Sequence, residues 1–324
     1  MTAMQYHTIP ATDLTVSQIC LGAGAFGSAV DLTQSFQILD QFVEAGGTFI
    51  DTARAYAIWT SVGAGASENV IGQWLAARKL SHNIVIASKG GHPEWASLDT
   101  PRMSARDIIG DCEESLKALG LDSIPLYWLH RDDPSQPVES LLQTLESLVQ
   151  SGKIRYYGCS NWRPDRIRQA QVAAEDNGWQ GFVADQPMWS LAQANIAAMP
   201  DKTLVWMDDA LLAMHRETKL PAIPYTAQAR GVFAKVKLSG WEGLTEDVRR
   251  DYDNAHNHAI YERLEALSQQ KKVSITAIAI AWLLQNPDFL TIPIVSARSR
   301  QQWNEILSAT SVPLTAKERE SITA

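Results

Sequence analysis

Short apolar runs alternate with longer amphipathic stretches along almost the whole chain. The runs are "SQICLG" (17–22), "TFID" (48–51), "NIVIASK" (83–89), "SIPLYWLH" (123–130), "IRYYGCS" (154–160), "GFVADQ" (181–186), "PAIPYT" (221–226) and "TIPIVS" (291–296). Their lengths and their β-branched and aromatic content are those of strands. The stretches between them have helical spacing. "SFQILDQFVEAG" places Phe36, Leu39 and Val43 on one face, and "SLLQTLESLVQSG" does the same with Leu141, Leu145 and Leu148. Glycines at 46, 120, 152 and 178 stand where helices should close, because glycine takes the left-handed conformation without a Cβ clash. Eight strands alternating with helices predict parallel strands with helical crossovers, and so a closed (β/α)8 barrel; a doubly wound open sheet is the competing arrangement. No Pro/Gly/Ser-rich linker divides residues 1–324, which read as one domain. The polar stretch 237–258 reads as an irregular excursion after the seventh strand, where a binding loop belongs.

Composition narrows the function classes. With 45% hydrophobic and 20% charged residues, the chain can bury a large core. A net charge of −8 argues against a nucleic-acid surface, which needs a basic face. Cys20, Cys112 and Cys159 are odd in number and widely spaced, so they read as small buried hydrophobes, not as a disulfide framework or a zinc site. "MTAMQYHTIPATDL" lacks the basic-then-apolar pattern of a leader, and no apolar run is long enough to span a membrane; the expectation is a cytoplasmic protein.

In such a barrel the active site lies at the C-terminal ends of the strands. Those ends carry Asp51, Lys89, His130, Ser160, Asn161, Gln186 and Tyr225, and Tyr56 follows five residues after Asp51. Singly, each has an ordinary structural explanation. Together they make a coherent chemical group. A lysine ammonium favours a nearby phenolate and so lowers a tyrosine pKa, an aspartate keeps the lysine charged, and a histidine can donate to a carbonyl oxygen. The tyrosine could then protonate an oxygen that gains negative charge. Carbonyl reduction needs this, together with a hydride that only a nicotinamide supplies.

"FIDTARAY", "ASENVIGQWL", "IVIASKGG", "YWLHRDD", "YYGCSN", "ADQPMWSL", "PYTAQARGVFA" and "PIVSARSRQQWNE", in that order, resemble the aldo-keto reductase superfamily over residues 7–310. The resemblance implies a (β/α)8 barrel that binds NADPH or NADH in extended form and reduces small-molecule aldehydes or ketones. It implies Tyr56 as general acid with Asp51, Lys89 and His130. Ser160, Asn161 and Gln186 would meet the nicotinamide carboxamide, and Tyr225 would stack on its ring. The turn of Thr226, Ala227, Gln228, Arg230 and Gly231 would meet the pyrophosphate. Ser296, Arg298 and Gln302 would take an adenosine 2′-phosphate, and Glu305 would face the adenine. Arg298 offers a planar fork suited to phosphate, which favours NADP. Ser296, Ile306 and Ala227 depart from residues common at these positions in relatives.

The glycines of "LGAGAFG" are not followed at once by a helical pattern, so they read as a tight first turn lining the pocket, with Phe26 toward substrate, and not as a dinucleotide fingerprint. Trp59, Trp95, Trp162 and Trp189 fall on loops beyond strands two, three, five and six and are candidates for an aromatic wall, fit for sugar rings or aryl groups. Two rivals come from other classes. Lys89 could form a Schiff base in a lyase. The fold could also serve as a nucleotide-sensing accessory protein with little turnover.

Overall fold

The computed structural model describes residues 4–80 and 84–324. Asn83, read above as the start of the third strand, lies outside the described residues, as do residues 1–3 of the stretch searched for a leader. A short hairpin comes first, β1 (Tyr6–Thr8) with β2 (Thr15–Ser17). Then follow β3 (Cys20–Gly22), α1 (Leu32–Glu44), β4 (Phe49–Asp51), α2 (Ala66–Arg78), β5 (Val85–Gly90), α3 (Ala105–Leu119), β6 (Ile124–Leu129) and α4 (Val138–Gln150). The chain continues through β7 (Ile154–Ser160), α5 (Pro164–Asn177), β8 (Asp185–Gln186), α6 (Asp209–Thr218), α7 (Val232–Ser239), α8 (Glu246–Tyr252), α9 (Ala255–Lys271) and α10 (Ile275–Leu284). It ends with β9 (Ile294–Val295), α11 (Arg300–Ser308) and α12 (Ala316–Thr323).

Seven parallel strands run in the order β8-β7-β6-β5-β4-β3-β9. The gap between β8 and β9 is filled by residues 221–226, which the sequence marks as a strand but which form no regular ladder. Pro221 and Pro224 have no N–H to donate. The remaining groups still bond to both sides: Ile223 N–H to Asp185 O (2.8 Å), Ala222 N–H to Leu290 O (2.9 Å) and Ile292 N–H to Ala222 O (3.0 Å). The result is the (β/α)8 barrel expected from the alternation. Three other expectations change. Only the last two residues of "GFVADQ" are strand. The 237–258 excursion is largely helical, with α8 in its middle. The buried face of α1 is Ser35, Ile38, Leu39 and Phe42, while Phe36 and Val43 lie half-buried at its edges.

Strand parity decides which side chains meet. Successive residues of a strand point to opposite faces. On β6, Leu126 and Trp128 join the cluster inside the barrel, while Tyr127 and Leu129 join the core under the helices; Ile124, at the first residue of the strand, departs from this alternation and also joins the outer core. The same alternation puts Phe49 of β4 and Ala87 of β5 inside. Two residues further on, it brings Asp51 and Lys89 to the inner face. Ile9, Leu14 and Val16, on or beside the hairpin, join this inner cluster. Gly158 leaves room for the indole of Trp128, which a Cβ at that position would strike.

Cys20, Cys112 and Cys159 are free and buried, and burial pushes each thiol up. Among the described residues, no helix is long and apolar enough to cross a membrane.

Two helical glycines should respond in opposite senses. A Cβ on Gly72 of α2 would overlap the carbonyl of Ala118 on α3 and sit 3.0 Å from the Leu119 Cα, whereas one on Gly110 of α3 would meet nothing within 4 Å. Gly72→Ala should destabilise by about 1–3 kcal/mol. Gly110→Ala should stabilise by about 0.5–1 kcal/mol. Urea midpoints of the two variants check the pair.

Candidate active site

Asp51 and Lys89 lie side by side at the inner rim, each 1% exposed. Lys89 Nζ donates to Asp51 Oδ2, to the Thr52 carbonyl (2.7 Å) and to Tyr56 Oη (2.9 Å). An ammonium has three protons and no lone pair. All three are therefore used, and Tyr56 Oη must accept. Its own proton is directed away from Lys89. The other Asp51 oxygen accepts from Gln186 Nε2 at 2.9 Å. Tyr56 is half-buried, and a Cβ on Gly24 would sit 3.6 Å from its ring, so the first strand-to-helix turn does line the site.

Burial is the largest single influence on each of these groups, but it does not always prevail. It pulls the Lys89 ammonium down, but Asp51 and Tyr56 outweigh it and hold the amine above its usual value. Burial pushes the Asp51 carboxyl up, against the pull of Lys89 and Gln186. Burial also pushes the Tyr56 hydroxyl up, by more than Lys89 draws it down. The expectation of an acidified phenol is corrected here: desolvation of the phenolate outweighs the ammonium beside it. The phenol keeps its proton through neutral pH.

His130 directly follows β6 inside the rim and is 8% exposed. Its ring centroid stands 6.0 Å from that of Tyr56 and 4.6 Å from that of His92. Its carbonyl accepts from Arg131 (2.8 Å) and Asn161 Nδ2 (3.2 Å), which fixes the backbone at this point. Burial first, then His92, Arg131 and Lys89, hold the imidazole well below the ordinary histidine range. His130 Nδ1 is buried with no hydrogen-bond partner. A buried N–H without a partner is costlier than an unfilled acceptor, so the proton belongs on Nε2. A neutral ring with an Nε2–H donor is the form that polarises a carbonyl oxygen.

The groups expected to hold a dinucleotide form a continuous path. Ser160 donates to the Gln186 carbonyl (2.8 Å). The Asn161 side-chain oxygen accepts from Tyr225 Oη (2.6 Å) and Val205 N–H (3.1 Å), so Asn161 anchors the Tyr225 ring. Beyond Tyr225, Thr226 (φ 55), Ala229 (φ 47), Arg230 (φ 56) and Gly231 (φ 74) all adopt left-handed backbone. Ala227 is buried, and the half-buried Gln228 accepts from the Ser296 N–H at 2.9 Å, which joins this turn to the 296–302 segment. There the Arg298 N–H donates to Gln302 Oε1 (2.8 Å), and Glu305 is half-buried on α11. Arg298 is exposed and enters no ion pair among the described residues. Partial burial, then Arg230 and Arg298, hold the Lys235 ammonium below its usual value against the pull of Asp247. Arg230 is itself paired with Asp247 and with Asp251 (2.9 Å), so Arg298 and Lys235 are the cations at this corner without a carboxylate partner among the described residues. Clustered left-handed residues followed by the exposed Arg298 suit an extended anionic ligand, and the residues present fit a nicotinamide dinucleotide.

The tryptophans divide. Trp59 and Trp95 are 46% and 53% exposed, with ring centroids 5.9 Å apart, and Trp59 meets Tyr56 edge-on at 6.4 Å. Trp162 is fully buried, donates to the Arg131 carbonyl (3.1 Å) and packs on Phe182. Trp189 is 7% exposed and packs between Trp282 and Phe289. Neither belongs to a wall at the mouth. Phe26 is likewise taken up in the core, 3% exposed.

Residues 18–324 match the profile of the aldo/keto reductase family. The chain belongs to that family. An uncharacterized oxidoreductase of Bacillus subtilis, YrpG, is 29% identical over 96% of this chain and 92% of its own length. Norsolorinic acid reductase B of Dothistroma septosporum is 29% identical over all of this chain and 82% of its own length. An aryl-alcohol dehydrogenase of Pestalotiopsis microspora is 24% identical over 97% of this chain and 79% of its own length. In this aldo/keto reductase, sequence reasoning missed His92 and Lys235, which stand three and four residues beyond strong signals at Lys89 and Gly231.

It also missed Ala57, fully buried beside Tyr56 with φ 74. Only glycine adopts that backbone without strain. Ala57→Gly should stabilise the protein by about 0.5–1 kcal/mol and should loosen the hold on Tyr56, lowering kcat. A denaturant titration and steady-state rates on the same variant check both.

Proposed function

We propose that this chain is an NAD(P)H-dependent reductase of aldehydes or ketones, with Tyr56 as proton donor. The observation that carries the reading is the saturated ammonium of Lys89, which forces Tyr56 to accept and leaves the phenolic proton for the cleft. When bound, the dihydronicotinamide supplies a hydride to the carbonyl carbon. Tyr56 gives its proton to the carbonyl oxygen, and His130 Nε2–H steadies that oxygen as charge develops on it. One hydride and one proton convert C=O to CH–OH, and the reverse removes both. Relatives named as a reductase and as a dehydrogenase of alcohols support this reaction class.

Ser160, Gln186 and Tyr225 would hold the nicotinamide end, and Asn161, whose side-chain amide is fully engaged, would position the Tyr225 ring. Gln186 would bind through its side-chain oxygen or its second amide N–H, since one N–H is engaged with Asp51. The left-handed turn 226–231 would meet the pyrophosphate, and Arg298 with Ser296 and Gln302 a 2′-phosphate. The exposed, ion-pair-free guanidinium of Arg298 favours NADPH over NADH. The Schiff-base reading loses support, because an ammonium with every proton engaged has no lone pair for attack.

Tyr56→Phe should lower the reduction rate by about 10²–10⁴-fold while leaving the Kd for NADPH nearly unchanged. In the wild type, reduction should hold level across neutral pH and fall only as alkali removes the raised Tyr56 proton. Steady-state NADPH oxidation over a carbonyl panel checks both. Wild-type turnover in Tyr56→Phe would discard the donor role, and absence of any turnover would favour the nucleotide-sensing alternative. Arg298→Ala should raise the Kd for NADPH by about 10–100-fold and leave that for NADH unchanged, as read by fluorescence titration.

A further inference from the structure

His92 is a histidine that the proton and hydride steps do not use. It stands two residues beyond β5 and is 7% exposed. Its loop is pinned on both sides: the Gly91 N–H donates to Asp111 Oδ2 (2.9 Å), and Arg102 donates to the His92 carbonyl (3.1 Å). His92 Nδ1 lies 2.7 Å from the Pro93 carbonyl. A carbonyl only accepts, so Nδ1 carries the proton. Burial, then Arg131, hold the imidazole down to about 4, so the ring is neutral at neutral pH and Nε2 keeps its lone pair. Among the described residues nothing bonds to that nitrogen, and it is not sealed in the core as His130 Nδ1 is.

The ring meets that of His130 edge-on, with centroids 4.6 Å apart and planes inclined by 67°. His130 offers an N–H at Nε2, and its neighbour offers a free acceptor. A carbonyl oxygen needs the first. A hydroxyl on the next carbon, which has a proton to give, suits the second. His92 also lines a cavity of about 380 Å³, together with Lys89 and Gly90 at the end of β5. Four basic and four acidic residues line this cavity, and within it Arg54 pairs with Glu114 and Arg102 with Asp111 (3.2 Å). An ion would meet repulsion as well as attraction in such a lining. Hydroxyls find donors and acceptors side by side and bring no charge to bury.

We propose that His92 is a specificity-determining residue whose Nε2 accepts the O–H on the carbon beside the reacting carbonyl, and that the substrates are neutral hydroxylated aldehydes or ketones whose further hydroxyls enter the charged cavity. This rests on the carbonyl-reductase reading above and names the substrate class of the same site. The carbonyl oxygen lies at Tyr56 and His130, and the neighbouring hydroxyl at His92.

The test compares glyceraldehyde with propanal, which lacks both hydroxyls, in wild type, His92→Phe and His92→Gln, each saturated with NADPH. Phenylalanine keeps a ring against His130 and removes the acceptor. It should lower the ratio of kcat/KM for glyceraldehyde to that for propanal about tenfold, mainly through the KM for glyceraldehyde. Glutamine restores an acceptor and should recover part of the ratio. An equal fall for both aldehydes would mean that the ring only packs against His130, and would overturn the inference. So would a wild type that prefers propanal, or the anion glyoxylate, to glyceraldehyde. Nitrogen NMR of labelled histidines in the NADP complex separates this idea from the reaction reading, with the His92 signals assigned by their loss in His92→Phe. Should the wild type reduce no carbonyl at all, a shift of the Nε2 signal by glyceraldehyde and not by propanal would still support the contact. No shift with glyceraldehyde would overturn it.

Discussion

The site depends on a buried charge. Lys89 carries its ammonium at 1% exposure, where an unpaired cation would cost several kcal/mol. Three acceptors offset that cost, and each has a second consequence. The bond to Asp51 secures the charge, the bond to the Thr52 carbonyl ties it to the backbone beyond β4, and the bond to Tyr56 orients the phenol. Gln186, reaching from β8 on the other side of the barrel, holds the remaining Asp51 oxygen. Strands distant in sequence are thus joined by one ionic group, and the Tyr56 hydroxyl stands at its edge.

Parity explains why so much of this was legible in the sequence. Asp51, Lys89, His130, Ser160 and Gln186 each sit an even number of residues beyond an inward position of their strand or at such a position, so the two-residue period carries them to one rim. Parity also explains the failures. The left-handed turn at Asn161 (φ 61) ends the strand rule, and Trp162 leaves the rim for a buried seat against Phe182. Trp189 is claimed by Trp282 of α10, far along the chain, and local pattern carries no sign of that contact. Pro221 and Pro224 turn an apolar run into a closure made of isolated bridges. The helix α8 is short and strongly charged, so its spacing reads as loop.

Backbone strain marks the same region independently. Among the described residues, left-handed non-glycine positions outside helix ends are Ala11, Ala57, Asn161, Thr226, Ala229 and Arg230. All but Ala11 lie on loops that follow barrel strands or the closing segment at the site end. Such conformations cost of order 1–3 kcal/mol each and persist where the surroundings over-determine them. At Asn161 the surroundings are visible: its amide bonds to His130, Ser160, Val205 and Tyr225 at once. The strain therefore lies at the end of the barrel where the proposed reaction would place its ligand and its proton donor.

The division of charge follows from these constraints. The formal charges of Lys89 and Asp51 sit behind the cleft, while Tyr56 and His130, which face it, are both held neutral by burial. Two facing donors without net charge can polarise an oxygen without first binding an anion in its place. A phenol whose pKa is raised is a weak acid toward water but an adequate one toward an alkoxide, the stronger base formed when hydride reaches the carbon. On the reading proposed here, the proton would move only when the substrate oxygen had become basic enough to take it. That couples the two halves of the reduction without any need for an unusually acidic tyrosine.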